Sequence, residues 1–350
     1  MKKRRLLWVG FFIVSLVLGY FSGLTIYLHR QETGIPQDSL IGNKAGSVQA
    51  LKERGFPFSF LVIGDTQSSS RAAALMKHAL KDGESSFIII LGDFVTEPGR
   101  WYHRFFLWRM TREVGEHFPV FLVSGNHDID FAGKIKSADR RVTPEVYESL
   151  YGPRDFSFVF NDCLFIICGI DAKDPGRYIN TLKATLSEKA HGKRAIFVFM
   201  HLPLKGLGEG IATYPLPHEE EFFSLLEQYR VTTCFFGDYH GYWRVERAGT
   251  AFIVSGGGGA FKQRQPEWGR FHHILKITVD KTMRTDGIMT LPGEGDNLQD
   301  RLEKGIFTHV LPWADKSPWI PAVFFVITLS CAVFSAIILF RLLLRKRAGV

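Results

Sequence analysis

The chain carries a long uncharged apolar segment near each end. Leu6 to Leu28 is a run of 23 residues without a charge, and Ser317 to Phe340 is a run of 24. Each run exceeds the roughly 20 residues that a helix needs to cross a bilayer. We therefore expect one transmembrane helix at each end, with a large domain between them and lipid as a partner of both helices.

The excess positive charge lies beside these two segments. The chain has a net charge of +8, and this excess is contributed by two short flanks made up of Lys2, Lys3, Arg4, Arg5, Arg341, Arg345, Lys346 and Arg347. Residues 29–316 are neutral overall, which argues against a nucleic-acid-binding surface. Because basic flanks stay in the cytoplasm, we expect both termini inside. The domain would then lie outside, in a bacterial periplasm or on the outer face of the cell membrane.

The first apolar segment has an alternative interpretation as a cleaved signal peptide. It is long for such a peptide, and no convincing small-x-small cleavage site follows it, so we expect a retained anchor. The expected organisation is a tail (1–5), a transmembrane helix (6–28), a juxtamembrane linker (29–55), a domain (56–290), a linker (291–316), a transmembrane helix (317–340) and a tail (341–350).

Between the anchors, apolar runs alternate with amphipathic segments. The runs at 58–63, 87–91 and 119–123 predict buried strands, with helices expected at 71–81 and 101–114. Further strands are expected at 156–160, 163–170, 195–200, 232–236, 242–245, 251–254 and 271–279, and further helices at 144–150, 178–190 and 219–229. Such continuous apolar strands in β-α-β alternation are typical of an α/β fold with a covered parallel sheet.

Five of the polar loops that follow these strands carry residues able to bind a metal ion. They hold Asp65 with Gln67, Asp93, Asn126 with His127 and Asp128, His201, and Asp238 with His240. Ligands of such sheets collect beyond the carboxyl ends of the strands. Oxygen and imidazole donors without a thiolate suit two divalent cations that share a carboxylate.

The four cysteines give no further metal motif. No CxxC sequence occurs among Cys163, Cys168, Cys234 and Cys331. We expect buried free thiols, and the sequence leaves open a disulfide between two of them.

In this order, and with these flanks, the five loops resemble the calcineurin-like metallophosphoesterase superfamily. Its pattern is DxH, GDxx(D/Y), GNH(D/E), a lone His and GHxH, and the resemblance covers about residues 58–280. The Gln form of the first motif and the run Ser255 to Gly259 are most similar to purple-acid-phosphatase-like members. The resemblance implies a four-layer α-β-β-α sandwich with two mixed sheets, here with one transmembrane helix at each end.

The resemblance also implies two adjacent cation sites. The ligands would be Asp65, Gln67 and His240 for the first cation, Asn126, His201 and Asp238 for the second, and Asp93 as the bridge. His127 would contact the phosphoryl oxygen or protonate the leaving alkoxide, with Asp128 orienting its imidazole.

Two ligand positions depart from the family pattern. Gln67 and Asp238 each stand where the family has an imidazole, one at each cation, and Thr96 stands where the second motif has Asp or Tyr. Oxygen-rich sites shift metal preference towards manganese or magnesium and away from zinc. We therefore expect two Mn²⁺ ions, with Mg²⁺, Fe and Zn²⁺ as alternatives.

These features together predict a membrane-anchored phosphoesterase. It would hydrolyse a phosphate mono- or diester, including a lipid-linked or envelope phosphate, by hydroxide bound to the dinuclear metal centre. The alternative is a catalytically degenerate protein of the same fold that acts as a binding or scaffold protein at the membrane.

Overall fold

The computed structural model describes residues 2–33, 39–52, 55–138, 140–211, 214–260, 271–280, 284–291, 296–315, 317 and 319–347. The chain forms two compact units, one of Pro36–Asp300 and one of Met1–Ile35 with Arg301–Val350. The strands are β1 (Phe58–Ile63), β2 (Ser85–Ile90), β3 (Val120–Leu122), β4 (Phe156–Phe160), β5 (Cys163–Ile167), β6 (Ala195–Phe199), β7 (Thr233–Phe236), β8 (Tyr242–Arg247), β9 (Thr250–Ser255), β10 (Ile274–Val279) and β11 (Arg284–Met289).

The helices include both long terminal segments and shorter ones between the strands. They are α1 (Lys2–Thr33), α2 (Ala45–Gln49), α3 (Ser70–Ala79), α4 (Arg100–Glu113), α5 (Pro144–Tyr151), α6 (Arg177–Lys189), α7 (Glu219–Gln228), α8 (Leu298–Gly305), α9 (Leu311–Ala314) and α10 (Trp319–Arg347). A 3₁₀ turn occupies Lys205–Leu207, and a π-helical turn joins α8 to α9.

The terminal unit contains the two long apolar helices. Within α1 the segment Leu6–Arg30, and within α10 the segment Trp319–Leu342, are each long and apolar enough to cross a membrane. The two helices pack against each other, with the rings of Trp8 and Phe334 edge to face at 5.9 Å. Most of their side chains are not covered by protein, as expected for helices that face lipid.

The other unit is built on two sheets. In the first the strand order is β11-β10-β1-β2-β3, with β1, β2 and β3 parallel and β10 antiparallel to β1. In the second the order is β4-β5-β6-β7-β9-β8, with β5, β6, β7 and β9 parallel. The parallel strands at the centre of each sheet deliver their carboxyl ends to one edge of that sheet.

Phenylalanine fills the space between the sheets. The rings of this layer come from strands of both sheets and are almost wholly buried, namely Phe58, Phe60, Phe87, Phe121, Phe158, Phe160, Phe165, Phe197, Phe199 and Phe235. The ring of Phe165 stacks on those of Phe158 and Phe197. It also meets the rings of Phe60 and Phe87 edge to face, and the four centroid distances are 4.9 to 5.3 Å. Aromatic packing of this kind adds to the stabilisation gained by burying the rings.

Helices cover the outer face of each sheet. Apolar residues of α3, α4 and α5 pack on the first sheet, and those of α6 and α7 pack on the second. Ser69 caps α3, since its hydroxyl accepts a hydrogen bond from the Ala72 N–H at 3.2 Å, and Thr143 caps α5 in the same way. The four-layer α-β-β-α architecture expected from the sequence is confirmed.

The structure adds elements that the sequence patterns did not indicate. Strand β11 was not predicted, because its sequence, Arg-Thr-Asp-Gly-Ile-Met, is polar and contains a glycine. The segment 291–316, expected as a linker, contains α8, the π-helical turn and α9. The four cysteines are free, and Cys163, Cys168 and Cys234 are buried.

The phenylalanine layer leads to a stability prediction. Phe165→Ala should destabilise the chain by roughly 3–5 kcal/mol, because it leaves a cavity among four neighbouring rings. Val159→Ala on the exposed face of β4 is the matched control and should cost far less, since Val159 is 41% exposed. Thermal unfolding of the detergent-solubilised full chain, followed by tryptophan fluorescence, measures both. Equal losses in the two variants would contradict a stabilising role for the layer.

Candidate metal centre

The five loops predicted to bind metal meet at the carboxyl ends of five strands. Asp65 follows β1, Asp93 follows β2, Asn126 follows β3, His201 follows β6, and Asp238 with His240 follows β7. Three buried residues each place one ligand atom within 4.8 Å of the other two, namely Asp65, Asp93 and His201. The structure therefore brings residues from both sheets to one point.

The His201 imidazole is held so that one ring nitrogen faces the carboxylates. Its Nδ1 lies 2.7 Å from the Leu91 carbonyl oxygen, which can only accept, so Nδ1 carries the proton. In the neutral ring the Nε2 lone pair then faces Asn126 Oδ1 at 3.0 Å, Asp93 Oδ1 at 3.4 Å and Asp238 Oδ1 at 3.8 Å. A backbone carbonyl on the distal nitrogen is the usual second partner of a metal-ligating histidine.

On the other side of the centre, Asp65 and Asp238 link a loop of the first sheet to a loop of the second. Asp65 Oδ2 accepts a hydrogen bond from the Asp238 N–H at 3.0 Å, and Asp65 Oδ1 lies 3.5 Å from His240 Nε2. Asp65 and His240, two of the three residues expected at the first cation, are thus adjacent. Gln67 lies in the same loop, where its N–H donates to the Asp93 carbonyl at 3.0 Å.

Buried oxygen atoms in the centre lack hydrogen bonds. Among the described residues, no hydrogen bond is donated to Asp65 Oδ1 or to Asp238 Oδ2, although both atoms are shielded from solvent. A buried carboxylate oxygen without a donor is costly unless a cation compensates it. These atoms, together with the His201 Nε2 lone pair, form a donor set that fits divalent cations.

The carboxylates also set the electrostatics of the centre. Burial lowers the pKa of His201, but the carboxylates of Asp93, Asp65 and Asp238 outweigh burial and raise it to about 9. Burial raises the pKa of Asp65 to about 6, and the neighbouring imidazoles oppose this shift only in part. The raised pKa of His201 is that of a site with an excess of negative charge, which a cation would balance.

Asp128 lies beneath the centre and holds two loops together. Its Oδ2 accepts hydrogen bonds from the N–H groups of Asp93 at 2.9 Å and Gly125 at 2.7 Å, and its Oδ1 accepts from Val95 at 3.2 Å. The sequence led us to expect this carboxylate to orient the imidazole of His127. In the structure its contacts are instead with the backbone.

The His127 ring is positioned by a backbone carbonyl. Its Nδ1 lies 2.9 Å from the Thr96 carbonyl oxygen, so Nδ1 donates and Nε2 lies free of that contact. Nε2 is 3.9 Å from Asp93 Oδ2, and the side chain is 45% exposed. The His127 N–H donates to Asp93 Oδ1 at 2.8 Å. The ring therefore stands at the open side of the centre, next to the expected bridging carboxylate.

Several loop residues have left-handed backbone angles. The φ values are +54° at Asp65, +45° at Gln67, +49° at Asp93 and +60° at Asp238. Non-glycine residues reach this region at a cost of order 1–3 kcal/mol, and they cluster at functional sites. The hydrogen bonds that buried carboxylates accept from neighbouring N–H groups hold these loops in place.

Glycine is required where the loops approach one another most closely. At Gly92, which has a φ of +88°, a Cβ atom would lie 2.5 Å from Nδ1 of His201. At Gly125 a Cβ atom would overlap the backbone and carboxylate of Asp93. The Gly256 to Gly259 run also allows close approach, since at Gly256 a Cβ atom would lie 2.7 Å from Asp65 Oδ2.

The sequence profile of the calcineurin-like phosphoesterase family matches residues 58–242. The matched region is more than half of the chain and contains all five loops. The chain belongs to this family. Its members are hydrolases that act on phosphate esters and use divalent metal ions, which supports that class of activity for this chain. No match was found among curated proteins.

Solved structures with the same fold include phosphatases. A purple acid phosphatase from yellow lupin (Lupinus luteus) seeds is 16% identical, with a TM-score of 0.50, and the match covers 71% of this chain and 55% of that one. A putative 5'-nucleotidase from Staphylococcus aureus is 15% identical (TM-score 0.44; 71% and 58% covered). A dimetal phosphatase from Danio rerio is 14% identical (TM-score 0.43; 65% and 98% covered). The chain thus spans little more than half of the lupin protein.

Sequence reasoning missed the backbone partners of the site. The carbonyl groups of Leu91 and Thr96 fix the rings of His201 and His127, and no side-chain pattern marks a carbonyl. His103, which is not in the predicted ligand set, contacts the Asp128 carbonyl oxygen and the Tyr151 hydroxyl with its two ring nitrogens, each at 3.0 Å. In the sequence, the signal of close loop packing is the glycine that directly precedes Asp93 and the one that directly precedes Asn126.

Gly92 provides a test of the metal centre. Gly92→Ala should abolish tight metal binding, because the added methyl displaces the His201 ring. Gly83→Ala is the matched control, since Gly83 also has a positive φ, +68°, but no atom within 4 Å of its Cβ position. Both variants should lose about 1–2 kcal/mol of stability from backbone strain, and Gly92→Ala should lose more because its methyl also overlaps the His201 ring. Calorimetric titration with Mn²⁺ measures the difference, and equal affinities in the two variants would contradict the assignment of His201 as a ligand.

Proposed function

We propose that the chain is a metal-dependent phosphoesterase that hydrolyses a phosphate mono- or diester at a membrane surface. The observation that carries this proposal is the convergence of the His201 Nε2 atom with the carboxylates of Asp65 and Asp93, beside buried carboxylate oxygens to which no described residue donates a hydrogen bond. Membership of the calcineurin-like phosphoesterase family supports the same chemistry.

The residues divide into two cation sites in this proposal. Asp65 and His240, with Gln67, would hold one cation, and Asn126, His201 and Asp238 would hold the other. Asp93 would be shared by the two cations, and its carboxylate lies near both His201 and His127. When bound, the cations neutralise charge on the phosphoryl oxygens and activate water.

The protein's own contribution is to place a proton donor beside the phosphate. The Thr96 carbonyl accepts a hydrogen bond from Nδ1 of His127, which leaves Nε2 as the ring atom available to a substrate. That atom faces the open side of the centre, where it can donate to a phosphoryl oxygen or to the leaving alkoxide. Asp128 acts through the backbone, because it accepts hydrogen bonds from N–H groups of the two loops that carry Asp93 and His127.

Manganese is the proposed metal. Gln67 and Asp238 each supply an oxygen where the family pattern has an imidazole, and the carboxylates of Asp65, Asp93 and Asp238 add to an oxygen-rich set. Such sets favour Mn²⁺ or Mg²⁺ over Zn²⁺.

Activity measurements test the proposal. The full chain in lipid nanodiscs with Mn²⁺ should hydrolyse p-nitrophenyl phosphate or its bis ester. Asp93→Ala and His127→Ala should each lower kcat by roughly 10²–10⁴-fold. His191→Ala is the matched control and should leave kcat unchanged, since His191 is exposed on a turn. Hydrolysis that survives both site substitutions, or the absence of hydrolysis with every cation, would overturn the enzymatic proposal.

Metal analysis of the purified protein tests the choice of manganese. Tightly bound, stoichiometric zinc that supports activity would overturn it.

The proposed orientation places the catalytic domain outside the cytoplasm. The support is the position of the basic residues, which flank the apolar segments of α1 and α10 at the two chain ends. Such an orientation, with an anchor at each end of the domain, holds the metal centre near a bilayer and favours a lipid-linked or envelope phosphate ester as substrate.

Cysteine labelling tests this orientation. Glu188→Cys places a thiol on the exposed surface of α6. A membrane-impermeant maleimide should label this variant in intact spheroplasts. The native chain is the control and should stay unlabelled, because Cys163, Cys168 and Cys234 are buried and Cys331 lies within the apolar helix α10. Labelling that requires lysis would place the domain in the cytoplasm instead.

A further inference from the structure

A cavity of about 440 Å³ adjoins the metal centre. Asn126 and His201 form part of its wall, so it is continuous with the proposed second cation site. Small-molecule sites commonly have volumes on the order of 300–1,000 Å³. The cavity is therefore large enough for the organic part of a substrate whose phosphate lies on the metals.

The wall of this cavity is mainly apolar. Tyr178 and Met200 are buried at its base, and it is also lined by Ile170, Leu202, Tyr214 and Leu216. Tyr214 is 56% exposed, so most of its ring is uncovered. An apolar ligand would cover this ring and gain the free energy of burying it.

The backbone groups of one wall are already hydrogen-bonded within the protein. The Gly169 N–H donates to Asp155 Oδ1 at 2.9 Å, and the Ile170 N–H donates to Ser124 Oγ at 3.2 Å. The Ile170 carbonyl accepts from Arg154 Nη1 at 3.1 Å. These groups are not available to read the polar edge of a nucleobase.

The charged group inside this wall is also engaged. Asp171 Oδ2 lies 3.3 Å from Arg154 Nη1 and 3.6 Å from Arg177 Nη1. The other charged residues that line the cavity, Lys134 and Asp174, are exposed. The charge of Asp171 is thus paired within the wall, and the other two charged side chains lie in solvent at the rim. The interior therefore favours an apolar group.

We propose that this cavity binds an apolar aromatic or alkyl group of the phosphate ester, so that the substrate is an apolar ester rather than a nucleotide. This inference rests on the proposed phosphoesterase function, because it assumes that the phosphate is held at the metal centre. An apolar group in this cavity is also consistent with the proposed position of the centre near a bilayer.

Binding of phosphonates, which are not hydrolysed, tests the inference without depending on turnover. The probes are naphthylmethylphosphonate, methylphosphonate and the 5'-methylphosphonate of adenosine, titrated into the full chain in nanodiscs with Mn²⁺. Empty nanodiscs correct for partition of the probes into lipid. The naphthyl probe should bind at least about tenfold more tightly than methylphosphonate, since even one methylene in an apolar pocket contributes roughly tenfold or more.

Ala172→Trp tests the cavity itself. Ala172 is an exposed residue of the cavity lining, and the indole should fill part of the space. This variant should lose the tenfold advantage of the naphthyl probe while keeping its affinity for methylphosphonate. Ala184→Trp is the matched control, because Ala184 is exposed on α6 and does not line the cavity; it should bind as the native chain does.

The outcomes separate the inference from the function on which it rests. Equal binding of the naphthyl and methyl probes, tighter binding of the adenosine probe, or an unchanged preference in Ala172→Trp would overturn the apolar cavity even if esters are hydrolysed. A naphthyl preference that Ala172→Trp removes, in a chain that hydrolyses no ester, would support the cavity and overturn the phosphoesterase.

Discussion

The arrangement of the centre depends on buried carboxylates that accept hydrogen bonds from the backbone of neighbouring loops. Asp128 binds the N–H groups of Asp93, Gly125 and Val95, Asp93 binds that of His127, and Asp65 binds that of Asp238. The last of these bonds joins a loop of the first sheet to a loop of the second. When a carboxylate accepts hydrogen bonds from backbone N–H groups, their dipoles offset part of its charge. The same bonds fix the position of the next polar side chain of the centre. The loops can then hold left-handed residues that would otherwise relax, and the ligand atoms stay close together in spite of their mutual repulsion.

Much of this molecule could be predicted from its sequence, and the parts that could not have a common physical reason. Continuous apolar runs located β1, β2 and β3, because strands buried on both faces need apolar residues throughout. The polar residues after those runs located the centre, because parallel strands end on one edge of a sheet. Strand β11 was missed, since an edge strand of polar residues has no distinctive periodicity. The contacts of Asp128 were also beyond prediction, because sequence does not distinguish a carboxylate that faces an imidazole from one that faces N–H groups.

The departures from the family pattern change the balance of donors at the centre. With Gln67 and Asp238 in place of imidazoles, His201 and His240 are the two nitrogen donors of the proposed centre. Asp238 adds a negative charge where the family has a neutral ring, and one of its oxygens lies 3.8 Å from His201 Nε2. A more anionic set binds hard cations better, and it also withdraws less charge from a bound phosphate than a set of neutral ligands does. The identity of the cation and the strength of catalysis are therefore linked through the same two positions.

The phenylalanine layer has a consequence beyond stability. The ligands come from two separate sheets, and the distance between these sheets is set by the thickness of the ring-filled interior, about 10 Å in packed sheets. Asp65, Asp93 and Asn126 follow strands on one side of this interior, while His201, Asp238 and His240 follow strands on the other. The rings therefore set the spacing between the two halves of the candidate centre. In the proposed enzyme, a substitution on the inner face of either sheet, far from the loops, would change this spacing and so alter catalysis although every proposed ligand is kept.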